Sequence, residues 1–312
     1  MPLRFSVIIP CYNAGRWIGQ TLASLAAQTL PPHEVFVIDD GSSDDSIEQV
    51  EKSGVAVTLL RTQRANGAGA RNAGIRAATG EWIALLDADD LWYPNHLARA
   101  AELLGASNDA AFMSNHDWID LENNITPIPS SLQCKLRETR TGLTTSQFLE
   151  IYVQGFHFGH STVVYNRQRV MDVGLFDETQ LRRHDMDLWL RVIRDQTWTW
   201  DAVKSMGYRE GTPGSISKAA VSCEYYALRA LVKNRAGFQG THWDAMADSA
   251  ARRAMSLAFM DGDRSDFDLA RELSWPYLPR GYRLFYGMAA KCPGLFRAAV
   301  KMKRRLRPLP VA

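Results

Sequence analysis

Three carboxylates close a short apolar run in this chain: Asp87, Asp89 and Asp90 follow Ile83-Ala84-Leu85-Leu86. Side chains alternate along a strand, so Asp87 and Asp89 can point the same way. Two oxygen ligands of that kind suit a hard divalent cation that keeps waters and shares phosphate oxygens. The same spacing alone would also fit a solvated acidic turn. Here the buried strand aims the pair at the ligand edge of a sheet. Asp39 and Asp40 close residues 35–38 in the same way. A carboxylate there can accept hydrogen bonds from a base or ribose hydroxyls, although Asp-Gly-Ser-Ser is equally a turn and helix cap. Tyr12, just past Pro10, is placed to stack on a base or to pack. Residues 66–74 (Asn-Gly-Ala-Gly-Ala-Arg-Asn-Ala-Gly) let a ligand approach the backbone and open a helix whose N-terminus favours an anion. Arg71 adds a fixed charge for phosphate or a polar contact for a base. This is no Walker loop, since no Gly-Lys-Ser/Thr ends it, and its glycines follow the wrong strand for a dinucleotide fingerprint.

These residues need elements to hold them, and the hydrophobic spacing supplies an alternating set. Strands are predicted at 6–9, 35–38, 55–60, 82–86 and 110–113. Between them, Leu22, Leu25 and Ala26 recur at helical spacing before Pro31-Pro32, Ser43 or Asp44 can cap a second helix, and Pro94 opens one to about residue 104. Strands separated by helices imply an α/β domain with a mostly parallel sheet flanked by helices. Beyond 115 the pattern loosens. Residues 120–142 read as a loop or lid, 146–153 and 186–193 as helices, 162–165 and 198–203 as strands, and 222–273 as a helical C-terminal section.

The bulk composition, with 46% hydrophobic and 22% charged residues among 312, excludes a disordered or disulfide-stapled chain. The net charge of +2 hides an asymmetry. Nine of the 36 basic residues lie between Arg280 and Arg307, and no Asp or Glu follows Glu272. The remainder carries 27 basic against 34 acidic residues, a net −7. The tail interleaves its cations with Leu284, Phe285, Tyr286, Met288, Leu295, Phe296 and Val300, a basic amphipathic pattern that suits an anionic membrane surface. The alternative is a solvated helix packed on the body. No motif supports nucleic acid as a partner. Cys11, Cys134, Cys223 and Cys292 are scattered, and no apolar run reaches membrane-spanning length. The expected location is cytoplasmic, with any membrane contact peripheral at the inner face.

Together the motifs resemble those of the family 2 glycosyltransferases, which have a GT-A fold. The resemblance rests on Val7-Ile8-Ile9-Pro10-Cys11-Tyr12-Asn13, Asp39-Asp40-Gly41-Ser42-Ser43-Asp44, residues 66–74, and Leu86-Asp87-Ala88-Asp89-Asp90. Further on, Gly174-Leu175-Phe176-Asp177-Glu178 precedes His184-Asp185-Met186-Asp187-Leu188-Trp189-Leu190-Arg191. It implies an inverting transfer of a sugar from a nucleotide-diphosphate sugar, by family frequency a UDP-sugar, to a hydroxyl of a saccharide or lipid-linked saccharide. That chemistry would serve a bacterial surface polysaccharide or glycolipid. By matching position, Pro10, Tyr12, Asp39, Arg71, Asp87 and Ala88 would line the nucleotide sugar. Asp89 would reach a Mn²⁺ or Mg²⁺ ion on the pyrophosphate, and Asp185 would be the catalytic base. Residues 1–115 would form the nucleotide-sugar half of the GT-A domain, 116–220 the acceptor half, and 221–312 a helical region ending in the basic tail.

Two positions depart from the family pattern. His184 stands where an acidic residue commonly precedes the base, and a histidine cation there would lower the Asp185 pKa and weaken it as a base. In Tyr208-Arg209-Glu210-Gly211-Thr212 and the residues that follow, no histidine stands after the arginine. His157 and His160 could compensate, but as single histidines they read as surface or core residues. Asp187 and Arg191 read as braces for their helix, and Trp189 as core. The other functions to separate are a sugar-nucleotide nucleotidyltransferase and a non-catalytic nucleotide-sugar-binding protein. The first would show an early Gly-rich loop with Arg and Lys, which residues 6–20 lack. The second would have lost the carboxylates, which are present.

Overall fold

A computed structural model describes residues 2–63, 65–129, 133, 135–152, 159–212, 220–238, 241–260, 264–291 and 294. The chain divides into two compact units, Met1–Ser215 and Ile216–Ala312.

In the first unit, β1 (Phe5–Cys11), β2 (Glu34–Asp39), β3 (Thr58–Arg61) and β4 (Trp82–Leu85) alternate with α1 (Gly15–Ala26), α2 (Ser46–Lys52) and α3 (Asn66–Ala77). The four strands lie parallel in the order β3-β2-β1-β4. Parallel strands require a crossover, which is why a helix stands between each pair in the sequence. Val7, Ile8, Ile9, Val37, Ile38, Ile83, Ala84 and Leu85 have no exposed surface. Such continuous apolar runs are what a sheet covered on both faces needs. Gly74 lets α3 settle on it: a Cβ there would stand 2.8 Å from side-chain carbons of both Ile8 and Ile38.

The rest of this unit extends the sheet. β5 (Leu91–Trp92), α4 (His96–Gly105), β6 (Ala111–Ile119), β7 (Ile125–Thr126), β8 (Arg140–Leu143) and α5 (Thr145–Tyr152) come first. A 3₁₀ turn at His160–Thr162, β9 (Val163–Asn166), α6 (Arg167–Asp172), α7 (His184–Ile193) and β10 (Trp198–Arg209) complete it. The full order is β3-β2-β1-β4-β9-β6-β10-β5, with β7 on β6 and β8 on β10. β9 is antiparallel to both β4 and β6, whereas β6 and β10 are parallel. Residue 115 falls inside β6, so the two expected halves of the domain share one sheet.

Several elements differ from the sequence expectation. β6 and β10 run six residues further than the predicted strands, through polar positions such as His116 and Ser205 that are buried between neighbours. β10 makes this possible by shifting register twice, between Asp201 and Lys204 and between Lys204 and Gly207. Residues 120–142 contain β7 and the start of β8, too short for periodicity to reveal. The second helix starts at Ser46. Asp44 accepts its backbone N–H at 3.0 Å, so the expected capping carboxylate acts from just outside the helix.

α7 buries Met186, Leu188, Trp189, Leu190, Val192 and Ile193. Trp189 is a core residue, its ring 5.4 Å from that of Trp198 and 5.5 Å from that of Phe148. Truncation of such a buried aromatic costs about 3–5 kcal/mol, so this packing firmly fixes the helix. Arg191 pairs with Asp187 at 2.7 Å and donates to the Val173 carbonyl at 2.7 Å, bracing the same helix.

The second unit is helical: α8 (Ala220–Asn234), α9 (Thr241–Met260), α10 (Arg264–Ser274) and α11 (Arg280–Ala289). Ala247, Ala250, Ala251, Ala254 and Ala258 form a buried small-residue stripe along α9, against which α8 and α10 close. Among the described residues, no helix is long and apolar enough to cross a membrane.

Candidate active site

β1 and β2 place the first group of site residues. Their register pairs Pro10 with Ile38 and Cys11 with Asp39, so Pro10, Tyr12 and Asp39 gather at one sheet edge. The loops beyond are sewn together. The Asn13 N–H donates to Ser42 Oγ at 3.0 Å, the Ser43 N–H to Asn13 Oδ1 at 2.8 Å, and the Ala14 N–H to Ser46 Oγ at 2.8 Å. Asn13 adopts a positive φ of 48°, which asparagine tolerates, and this turns the chain sharply after Tyr12. Tyr12 is thereby left 51% exposed, with its ring open to a stacking partner. Asp39 accepts the Ser42 N–H at 2.9 Å, and Asp40 accepts both Thr62 Oγ1 and the Ala65 N–H at 2.7 Å. Asp40 therefore positions the start of α3, the helix that carries Arg71.

β4 ends at the second group. Arg71 forms an ion pair with Asp87 and donates from Nη1 to the Gly67 carbonyl at 3.0 Å. Asp87 donates its backbone N–H to Ser161 Oγ at 2.9 Å, and that hydroxyl donates to Asp90 Oδ2 at 2.6 Å. Asp90 also accepts the Arg209 N–H at 2.9 Å, while Arg209 Nε donates to the Asp89 carbonyl at 2.8 Å. Burial, with the charges of Asp89 and Asp87, pushes the Asp90 carboxyl far up, and its two oxygens pin Ser161 and Arg209 in place. Ala88 is buried, and its carbonyl accepts Thr21 Oγ1 at 2.9 Å. Asp89 is pushed up to about 6 by burial and then by the Asp87 charge, with the Thr212 hydroxyl acting in the opposite direction.

α7 brings in the third group. Asp185 lies in its first turn, where its Oδ1 accepts the Met186 N–H at 2.8 Å. Burial raises the Asp185 pKa. Arg183 and Arg71 lower it and Asp87 raises it, which puts Asp185 within the field of the Arg71–Asp87 pair. The expected weakening by a His184 cation does not occur. His184 is buried, its pKa is driven well below the ordinary value by desolvation, and Arg71 Nη1 faces its Nε2 at 3.1 Å. A guanidinium only donates, so the ring is neutral there. His160 stacks on His184 with centroids 4.8 Å apart, so it is a core partner of this helix. His157 and the segment 213–217 lie outside the described residues, as do Cys134 and Cys292.

The structure thus pairs Arg71 with Asp87, brings Asp185 within their electrostatic reach, and sets Asp89 beside Asp87. Pro10, Tyr12 and Asp39 form their own group along the same edge. Asp90, His160 and Arg209, visible in the sequence, take supporting places around the site, and Ser161 joins them without any sequence signal. Ser161 sits in no motif, and only the antiparallel placement of β9 beside β4 brings it there.

Among the described residues, no three His, Cys, Asp or Glu side chains converge as a ready metal cage. The donor set still fits a hard cation: a carboxylate pushed up beside a second one gains from positive charge. An ion such as Mg²⁺ takes its remaining oxygens from phosphates and water.

A sheet whose first four strands are parallel, flanked by helices and with carboxylates beyond its strand ends, is an architecture of the GT-A kind. The profile of Glycosyl transferase family 2 matches residues 6–174, more than half of the chain, and the chain belongs to that family. The amylovoran biosynthesis glycosyltransferase AmsB of Erwinia amylovora is 33% identical over 200 residues, 61% of this chain and 64% of AmsB. The UDP-Glc:alpha-D-GlcNAc-diphosphoundecaprenol beta-1,3-glucosyltransferase WfgD of Escherichia coli is 36% identical over 192 residues, 61% of this chain and 70% of WfgD. The chain therefore spans just under two thirds of AmsB's length. Residues 1–349 of S. aureus TarS, solved with UDP-GlcNAc, share the fold with a TM-score of 0.69 at 20% identity, covering 89% of this chain and 82% of that one. The mannosyltransferase PcManGT of Pyrobaculum calidifontis, solved with GDP-Man and Mn²⁺, gives 0.60 at 20% identity, covering 96% and 87%.

Proposed function

We propose that this protein is an inverting glycosyltransferase that moves a sugar from a nucleotide-diphosphate sugar, a UDP-sugar first among them, to a hydroxyl of a saccharide or lipid-linked saccharide. The observation that carries this reading is the meeting of Asp87–Arg71 with Asp185, two groups about a hundred residues apart in sequence. This reading assigns one group to the donor and the other to the acceptor hydroxyl.

In that reading Tyr12 stacks on the base, and Asp39 accepts from the nucleoside. Arg71 and Asp87 hold the ribose and phosphate end, with Pro10 and Ala88 as backbone walls. Asp185 takes the acceptor hydroxyl proton as the new bond forms. Its raised pKa makes it a better proton acceptor than an ordinary aspartate, in the direction a general base needs. A divalent cation, Mn²⁺ or Mg²⁺, held by Asp89, would supply positive charge where the diphosphate departs. The relatives' names support the class: AmsB is named for a polysaccharide and WfgD for a diphosphoundecaprenol-linked acceptor.

The test is a thermal-shift panel of nucleoside diphosphates and nucleotide sugars with and without Mn²⁺. A shift with at least one diphosphate, enlarged by the metal, is expected. No shift with any would overturn the reading.

We also propose that α11 meets an anionic bilayer at the inner face of the membrane, where a lipid-linked acceptor would be found. Tyr282, Leu284 and Met288 are 43%, 61% and 56% exposed, among exposed Arg280, Arg283 and Lys291. Leu284 and Met288 share a helix face, flanked by Arg280 and Lys291. Six further tail cations, Arg297, Lys301, Lys303, Arg304, Arg305 and Arg307, lie outside the described residues. Co-sedimentation with phosphatidylglycerol vesicles but not phosphatidylcholine vesicles is expected, and L284D/M288D should abolish it. Undiminished binding of that variant would sink the assignment.

A further inference from the structure

We propose that His184 is a positioning residue of the site: a neutral hydrogen-bond acceptor that holds Arg71 against Asp87 and ties the end of β4 to the helix bearing Asp185. The inference rests on the functional reading above. It goes further by giving a role to a residue that neither touches the donor nor takes the proton.

The geometry is specific. Arg71 has only donors, so the 3.1 Å approach of its Nη1 to His184 Nε2 requires a bare Nε2 and a proton on Nδ1. An imidazolium would set N–H against N–H. The ring cannot swing aside, because His160 stacks on it at 4.8 Å and Phe176 meets it edge-on at 5.7 Å. The same guanidinium is held by the Gly67 carbonyl at 3.0 Å and by the Asp87 carboxylate. Gly67 matters here: a Cβ on it would stand 2.9 Å from Nη1. Three acceptors from three segments therefore fix one cation, and a single one of them, Asp87, is charged.

The charged and titratable groups around His184 agree with a neutral ring. Arg71 from α3 and His160 from the 3₁₀ turn oppose a proton, Asp87 beyond β4 favours one, and desolvation outweighs it. A carboxylate in this position would compete with Asp87 for Arg71 and add negative charge next to Asp185. The imidazole supplies the hydrogen bond without the charge. Arg71 thus keeps one carboxylate partner, and its remaining field is available to a donor phosphate.

The test compares H184F, which keeps a flat ring and loses the acceptor, with H184Q, whose carboxamide oxygen can stand in for Nε2. Affinity is read by calorimetry for the nucleoside diphosphate that the wild type binds best among UDP, GDP, ADP and CDP with Mn²⁺. H184F should bind about tenfold more weakly, the loss of one hydrogen bond to a charged group, and H184Q should return to within about twofold of wild type. Wild-type affinity in H184F overturns the proposal. So does equal weakness in both variants, which would mean that ring shape alone matters. Imidazole ¹⁵N spectra of the unliganded wild type give a measurement that needs no variant: His184 should show a proton on Nδ1 and none on Nε2 from pH 5.5 to 8. A proton on Nε2 in that range also overturns it. If the wild type binds none of the four nucleotides, the functional reading and this role fall together. Binding with an unaffected H184F removes this role alone.

Discussion

Asp39 and Asp40 on one side of the site, and Asp87, Asp90 and Asp185 on the other, are held in different ways. Asp39 accepts the N–H of Ser42 in its own turn, and Asp40 accepts the Thr62 hydroxyl and the Ala65 N–H just ahead of α3. Asp87 and Asp90 depend on Ser161, Arg71 and Arg209, which come from three other segments. Asp90 and Asp185 are raised by burial, as is Asp89 beside them. On the proposed nucleoside side, one carboxylate is thus held within its own turn and the other by the segment that leads into α3. On the proposed reaction side, Asp90 and Asp185 are desolvated, and burial with neighbouring charges sets their proton affinities. A general base benefits from that second arrangement, whereas a recognition carboxylate needs only to be an acceptor.

Breaking the reaction side alone should have the largest effect. Asp185→Asn is expected to lower kcat by about 10³-fold, within the range for loss of a positioned base, while nucleoside diphosphate affinity stays within about twofold. Full residual turnover would remove Asp185 as the base. In the wild type, the acid limb of kcat/KM should lie above the ordinary aspartate value of 3.8, because burial raises this group.

A smaller loss tests Asp89, which lies between the two sides. Asp89→Ala should abolish the tightening of UDP binding by Mn²⁺, expected at about tenfold or more if one charged ligand to the ion is lost. Metal-dependent binding equal to wild type would contradict the assignment.

Tyr12→Ala isolates the nucleoside side. Stacking on an aromatic ring is worth about 1–3 kcal/mol per base, so UDP affinity should fall about tenfold while inorganic pyrophosphate binding is unchanged. Parallel losses for both ligands would place Tyr12 elsewhere than under the base.

A separate effect concerns stability rather than turnover. His96 is buried, stacks on Trp92 at 4.3 Å, and is pushed down to about 3 by desolvation. Below pH 6.5 the unfolded chain binds a proton there that the folded chain refuses, so the His96 contribution is lost as pH falls from 6.5 toward 3. His96→Asn keeps a partner for Ser205 and removes the titration. Its stability deficit at pH 7 should narrow by about 1.4 kcal/mol per pH unit below 6.5, read by urea denaturation at pH 7 and 5. A constant deficit would show that His96 takes up its proton in the folded state.

These two constructions also explain what was legible in the chain. β1, β2 and β4 are readable because buried parallel strands are continuous apolar runs, and the carboxylates at their ends follow from that. α3 is readable from its small residues, and α7 from its amphipathic spacing. β6 and β10 were read short because His116, Asp117, Lys204 and Ser205 break the apolar pattern. They are strand residues through their neighbours: Asp117 pairs with Lys204 across the two strands, and Ser205 bonds His96. The protonation of His184 depends on packing for a related reason. Sequence proximity suggests that a histidine beside an aspartate is a cation, but desolvation and the facing Arg71 keep the ring neutral.

The amino-acid sequence by itself determined the alternating α/β order and the strand-end carboxylates, because periodicity and turn chemistry are local properties of the chain, whereas Asp185 as candidate base follows only from the resemblance of its motif to the family's. Only the tertiary structure decided that Arg71 pairs with Asp87, that Ser161 and Arg209 pin Asp90, and that His184 accepts rather than carries charge. Those outcomes depend on which distant groups exclude water from a carboxylate or an imidazole, and desolvation is a property of the packed molecule rather than of any segment.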